Sequence, residues 1–377
     1  MKLFKSLLVA PAALGLLAPM TATANELNLN DVSGYSSSEE VQNINEFNAA
    51  DLAVTNSRVD GLEARFNDYE AGSFSSTTSA SFSVDMAVGA VDGNTTSEAV
   101  GTAYGYQIDL STSFTGEDAL SVSLDAGSGA DQLGELDLNS NGDGLIVDGI
   151  TYSFPLGDKA TVLVGDSTDG SALYSTACVY GGFTNTLDDC GNAYSAFTTP
   201  DNGVTLSASY DIGNGFTGAF GYAGEGTGSG LMTTGGTDYY GGQLSYAADN
   251  YGASVTYANL DTATAWGLNG YYTFDDSSLP SLSVGYEMTE NEGVTKDDTQ
   301  WFAGLQWDEI GPGTLGIAAG NKGPQKDGST EEMAYEAFYS YPVNDSMTIT
   351  PAVFLLENGT AGSEDDTGVV VKTSFSF

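Results

Sequence analysis

From residue 74 to the end of the chain, apolar and polar positions alternate with period two. Phe82, Val84, Met86, Val88 and Ala90 alternate with Ser81, Ser83, Asp85, Ala87 and Gly89. Tyr104, Tyr106, Ile108, Leu110, Thr112 and Phe114 alternate with Gly105, Gln107, Asp109, Ser111 and Ser113, and Leu120, Val122 and Leu124 with Ser121, Ser123 and Asp125. Successive side chains of a strand point to opposite faces, so each segment has an apolar, aromatic face and a small, polar or acidic one. Continued to the C-terminus, the pattern predicts about 16 strands, centred near residues 84, 108, 123, 150, 163, 208, 220, 244, 255, 270, 285, 304, 317, 338, 351 and 373. Short turns follow even-numbered strands (Thr115–Asp118, Pro155–Lys159, Asp211–Gly215, Ala248–Asn250 and Tyr341–Asp345), and longer connections mostly follow odd ones. This is the signature of an all-β fold, a transmembrane antiparallel β-barrel over residues 72–377. Its short turns and both of its ends are expected on the periplasmic side.

Upstream the period changes. Across residues 39–71, Leu52, Val59 and Phe66 form one series seven apart and Thr55, Leu62 and Tyr69 a second. That spacing predicts a helix with a coiled-coil seam. Its reading is a short parallel coiled coil joining several barrels, with Leu52, Val59, Leu62 and Phe66 as the oligomer contacts. The alternative is a helix laid on a globular neighbour. Residues 25–38 are a short polar segment. Residues 1–24 read as a cleaved signal peptide: Lys2 and Lys5, an apolar stretch from Leu7 to Ala18, then Ala22, Thr23 and Ala24.

Composition separates a membrane barrel from a secreted sandwich or solenoid. Gly accounts for 49 residues and Tyr for 21, while charged residues are only 16%; soluble domains usually carry about a quarter. Tyr240, Tyr246, Tyr251, Tyr257, Trp266, Tyr272, Trp301 and Trp307 fall near strand ends on the apolar face, as an interfacial girdle requires. The formal charge of −42, from 9 basic and 51 acidic residues, excludes a nucleic-acid partner. It predicts instead a lumen of negative potential.

Candidate chemistry is sparse. With no histidine, the Ser–His and Asp–His routes of barrel hydrolases are closed, and the chain is expected not to be an enzyme. Cys178 and Cys190, the only cysteines, are expected to pair in an oxidising compartment, the alternative being two free thiols. By parity, Asp85, Asp109, Asp125, Glu287 and Lys372 face the lumen. Any single acid among them is also explained as a solvated wall residue. Asp137, Asn139, Asn141, Asp143 and Asp148 follow the spacing of an EF-hand loop, which suits calcium. However, Asp rather than Glu stands at the twelfth position and Asn-Gly and Asp-Gly are ordinary turn formers, so a plain polar turn is the alternative. No other cofactor is expected.

The run Arg58-Val59-Asp60-Gly61-Leu62-Glu63-Ala64-Arg65, followed by Phe74-Ser75-Ser76-Thr77-Thr78, resembles the helix-to-first-strand junction of cyanobacterial outer-membrane porins, which are grouped with carbohydrate-selective porins. The ending Val369–Phe377, with Phe375 and Phe377, is similar to the last-strand signal of outer-membrane proteins. The resemblance implies passive diffusion of small hydrophilic solutes and ions through a homotrimer set in outer-membrane lipid. The charge adds an expected preference for cations. The alternative is a structural or adhesive barrel with a blocked lumen. The resemblance also implies that the third external loop, residues 167–202, folds inward and narrows the pore, placing Asp166, Asp169, Asp188 and Asp189 near the narrowing. A loop folded over the outside is the competing reading. The family commonly holds peptidoglycan-linked polymer through an N-terminal surface-layer-homology domain. Here only Glu26–Ser38 stands where a remnant for peptidoglycan contact would be.

Overall fold

In a computed structural model of the chain, the described residues are 78–377 apart from 94–98, 130–132, 140, 198–202, 226–229, 234 and 361. The expected signal peptide, polar segment and coiled-coil helix lie outside the described residues.

Alternation of side chains builds a continuous wall of strands. They are β1 (Thr78–Asp92), β2 (Gly101–Thr112), β3 (Ala119–Gly127), β4 (Ile146–Leu156), β5 (Ala160–Asp166), β6 (Val204–Gly213), β7 (Phe216–Gly224) and β8 (Asp238–Ala247). The second half comprises β9 (Tyr251–Asn259), β10 (Ala263–Tyr272), β11 (Ser281–Asn291), β12 (Asp298–Ile310) and β13 (Gly313–Asn321). It ends with β14 (Gln325–Lys326), β15 (Met333–Asn344), β16 (Met347–Leu356) and β17 (Asp366–Ser376). The two-residue β14 only pairs with the start of β12. The other sixteen form the wall, and each expected strand centre falls inside one of them.

Every wall strand runs antiparallel to its neighbour along the chain, and β1 pairs with both β2 and β17. The sheet therefore closes on itself. The Phe82 amide donates to the Phe377 carbonyl at 2.8 Å, the Phe377 amide returns to Phe82 at 3.0 Å, and the two rings stack at 5.6 Å. Closure leaves no row of unpaired backbone groups to face hydrocarbon, which is what permits strands to span a bilayer.

Register assigns the faces. Ala87 lies opposite Lys372 and Ala103 on one face; Met86 lies opposite Thr373 and Tyr104 on the other. The Met86 face carries exposed Leu206, Leu244, Val255, Leu268, Val284, Ile317 and Val353, as a lipid-facing wall should. Its aromatics form two belts. Tyr240 and Tyr246, Tyr251 and Tyr257, Trp266 and Tyr272, and Trp301 and Trp307 each sit six residues apart on one strand. At a rise of ~3.4 Å per residue the belts are about 20 Å apart along the strand, the scale of the ~25 Å apolar band of outer-membrane barrels. Neighbouring members touch, as Tyr257 does Trp266 with ring centroids 4.8 Å apart.

Candidate functional site

The opposite face is polar and, over much of the barrel, buried. Gln243, Ser254, Asn269, Ser283, Glu287, Gln300 and Glu336 all point inward from β8 to β15 and are covered. What covers them is the described part of the connection from β5 to β6, residues 167–197. It runs along the inner wall rather than over the rim.

This loop has little regular structure, so its amides need partners inside the lumen. Wall side chains supply them in sequence. Gln243 accepts from the Ser175 amide at 2.7 Å, Ser254 from Ala177 at 3.3 Å, Ser283 from Val179 at 3.0 Å, and Gln306 from Gly181 at 2.9 Å. Two glutamates then hold the two limbs. Glu336 on β15 accepts the Tyr180 hydroxyl at 2.8 Å and the Phe183 amide at 3.0 Å through one oxygen. Through the other it accepts the Thr184 amide at 2.8 Å and the Thr184 hydroxyl at 2.5 Å. Glu287 on β11 accepts the Tyr194 amide at 3.1 Å and the Ser195 amide at 2.7 Å. A carboxylate gathering several N–H and O–H donors forms stronger bonds than a neutral acceptor would.

Packing adds to this. Tyr180 lies against Phe302 and Phe338, with ring centroids 5.4 and 5.9 Å away, and Phe183 stacks on Phe338 at 6.0 Å. Such pairs add about 0.5–1.5 kcal/mol each beyond area burial. Cys178 and Cys190 form a disulfide across a Cα–Cα distance of 6.5 Å, so the loop tip is a closed ring. The returning limb lies flat on the wall at Gly285, where any side chain would collide with the Cys190 carbonyl.

The connection from β3 to β4 also turns inward. A single 3₁₀ turn, Gly134–Leu136, buries Leu133 and Leu136, with Leu138 just beyond it, beside Leu187 and Phe183 of the longer loop. Gly105 and Gly127, paired across β2 and β3, leave room for this segment; a side chain at Gly127 would strike the Leu138 carbonyl.

The structure places the expected site residues unevenly. Asp85, Asp109 and Lys372 lie half-buried on the inner face, and the Lys372 ammonium stands 5.4 Å from the Phe183 ring centroid. Asp125 and Glu287 also point inward, but they are covered by the two loops and do not line open water. Asp166 ends β5 on the parity of exposed Val164, at the rim and outside the inward loop. Asp169, Asp188 and Asp189 belong to the loop itself. Asp188 has an exposed side chain, yet it sits on a loop held inside the barrel. This enclosure, with the charges of Asp189, Asp137 and Glu336, pushes its carboxyl up to about 6. Burial also raises Asp189, opposed by the Gly191 amide that donates to it at 2.7 Å.

The EF-hand-like segment is occupied by turn contacts. Asn141 donates to the Asp125 carboxylate at 3.0 Å and accepts from the Gly127 amide at 2.7 Å, while Asp143 accepts from the Tyr104 hydroxyl at 2.8 Å. Asp137, Asn139 and Asp143 adopt positive φ of 46°, 50° and 64°. Asp148 lies on β4. Among the described residues no three acidic or cysteine side chains stand together as metal ligands.

The family model for Gram-negative porins matches residues 149–358, more than half of the chain. The chain is a Gram-negative porin. An uncharacterized protein of Nostoc sp. is 25% identical over 95% of this porin and 74% of its own length. Among solved structures, OprB of Pseudomonas putida superposes with a TM-score of 0.61 at 11% identity, covering 80% of this chain and 94% of its own. An anion-selective porin from Comamonas acidovorans gives 0.58 at 15% identity, covering 80% and 99%. A variant of the Rh. blastica porin gives 0.55 at 14%, covering 80% and 100%. At these identities the structural likeness concerns the fold.

Proposed function

We propose that this outer-membrane porin passes small hydrophilic solutes and ions by diffusion and prefers cations. The observation that carries the preference is the meeting of acids from two loops. Asp137, Asp188 and Asp189 gather where the β3–β4 and β5–β6 connections approach, close enough for their charges to act on one another. The barrel offers little to oppose them, since its sequence contains only Lys159, Lys296, Lys322, Lys326 and Lys372 as cations. Low-dielectric walls focus such a field along the pore.

The fold itself does not decide the sign, because the Comamonas acidovorans porin of the same architecture is anion-selective. Measuring the reversal potential across a planar bilayer in a salt gradient tests the proposal. A cation-selective potential is expected, declining as the Debye length falls from ~10 Å at 0.1 M to ~3 Å at 1 M. An anion-selective potential would overturn it.

The apolar cluster of Tyr180, Phe183, Leu187, Phe302 and Phe338 inside the lumen favours a second reading, a structural barrel with a blocked lumen. Absence of any conductance would establish that reading. Assembly as a homotrimer, with short turns and both ends in the periplasm, is part of the first.

A further inference from the structure

We propose that Glu135 is a positioning residue for the pore, latching the β3–β4 loop to the tip of the β5–β6 loop so that both together form the constriction. The inference rests on the porin reading of the lumen. Glu135 lies in the 3₁₀ turn Gly134–Leu136 and is half-buried. Its Oε2 accepts the Thr186 hydroxyl at 2.7 Å, and its backbone carbonyl accepts the Asn185 amide at 2.8 Å.

These two bonds complete a line of contacts across the lumen. It begins on β15, where Glu336 holds Phe183 and Thr184. It passes through Thr186 to Glu135 and ends where Leu138 lies over Gly105 and Gly127 on β2 and β3. The leucines on either side of Glu135, Leu133 and Leu136, join Leu187 in one buried cluster, so the half-buried polar contact is flanked by apolar packing that fixes the two loops against each other. Without the latch the tip keeps its wall anchor on β15 and loses its support from the opposite loop. The latch also sets selectivity, because it brings Asp137 of one loop within reach of the field of Asp188 on the other.

The test compares Glu135→Ala, Glu135→Gln and Thr186→Val in the full-length protein. Two readouts are used: single-channel conductance in planar bilayers, and hydrogen exchange of the residue 185–187 amides in detergent. Glu135→Ala is expected to raise conductance and to exchange these amides about tenfold faster, the scale of one hydrogen bond to a charged group. Glu135→Gln keeps an acceptor for the Thr186 hydroxyl and should stay near the parent in both. Thr186→Val should reproduce the Ala variant, and combining the two should add nothing further. Should Glu135→Ala fail to assemble, Thr186→Val carries the same test.

Unchanged exchange and conductance in Glu135→Ala would overturn the proposal, as would faster exchange with no change in conductance. Equal shifts in reversal potential for the Ala and Gln variants, at constant conductance, would reduce Glu135 to a mere charge and overturn it too. A parent protein that conducts no ions would instead fail the porin reading, leaving the exchange data to decide whether the latch exists.

Discussion

Replacing Glu336 by Gln asks whether a wall carboxylate holds the long loop inside the barrel. The side chain accepts four donors, two on each oxygen. A Gln retains one acceptor oxygen and places an amide NH₂ where the other stood, so one pair of donors faces a donor. Hydrogen bonds to charged groups contribute ~1.5–3 kcal/mol each. Losing two of them weakens tip docking by about 3 kcal/mol, roughly a hundredfold in the ratio of undocked to docked loop. The wall should be spared, because the β13–β15 and β15–β16 ladders use the backbone of Glu336 and not its carboxylate. Single-channel recording is expected to show a larger and noisier conductance, and hydrogen exchange at residues 183–187 should rise steeply. The thermal unfolding temperature of the barrel should stay close to the parent's. A quiet channel of unchanged size with unchanged exchange would refute the anchoring role. Loss of the whole barrel would show that loop and wall fold as one unit.

Acidification from neutral pH to about 5 is expected to weaken cation preference before ordinary carboxylates protonate, because Asp188 titrates near 6; Asp188→Asn should remove that step from the reversal-potential profile. Since its folded value lies above the unfolded one, Asp188 contributes stability that is fully present below ~4 and lost as pH rises through about 6. Reducing the Cys178–Cys190 bond, which removes about 3 kcal/mol of constraint on the denatured loop, should raise conductance noise while the barrel still migrates as folded on mild electrophoresis. Val59→Asp with Leu62→Asp should weaken the oligomer on native electrophoresis if the N-terminal seam clasps the barrels; an undiminished oligomer would assign the contact to the barrel walls.

Period-two alternation made the wall legible, including the strands near residues 150 and 163, because lipid and lumen impose opposite demands on successive positions. The loops were less legible. Parity placed Glu287 and Asp125 on the inner face but could not show that a loop covers them. Glu336 carries no motif and was missed. One signal was available. In β16 and β17 the alternation breaks into Phe354-Leu355-Leu356 and Val369-Val370-Val371, and Phe302 and Phe338 interrupt the polar face of β12 and β15. An apolar run on a strand means both faces are covered. Here the second cover is the tip of the β5–β6 loop, with Phe302, Phe338, Phe354, Leu356 and Val370 in the same cluster as Tyr180, Phe183 and Leu187. The EF-hand-like spacing of residues 137–148 points to a metal and carries no hint that Glu135, just before it, bonds to the other loop.

The shortage of cations explains why acids do so much of this work. An irregular loop inside a watery lumen presents amides that need acceptors, and an acidic chain with few lysines provides carboxylates in abundance. Glu287 and Glu336 are consumed in that role: both are almost wholly buried and bonded to loop amides. Asp118 is consumed similarly in the β2–β3 turn. There the Thr115 amide and the Thr115, Tyr152 and Ser113 hydroxyls hold its carboxyl below the usual range, and the Phe114 amide also donates to it. Acids fixed this way act on permeating ions through protein already polarised around them. Those open to lumen water, Asp137 and Asp188, act directly. The formal charge of −42 therefore overstates the field in the pore, and selectivity should depend on a few loop residues more than on the total. Neutralising Asp137 and Asp188 together is accordingly expected to shift the reversal potential more than neutralising Asp166 and Asp143. Equal shifts from the two pairs would mean that the summed surface charge, and not the meeting of the loops, sets the preference.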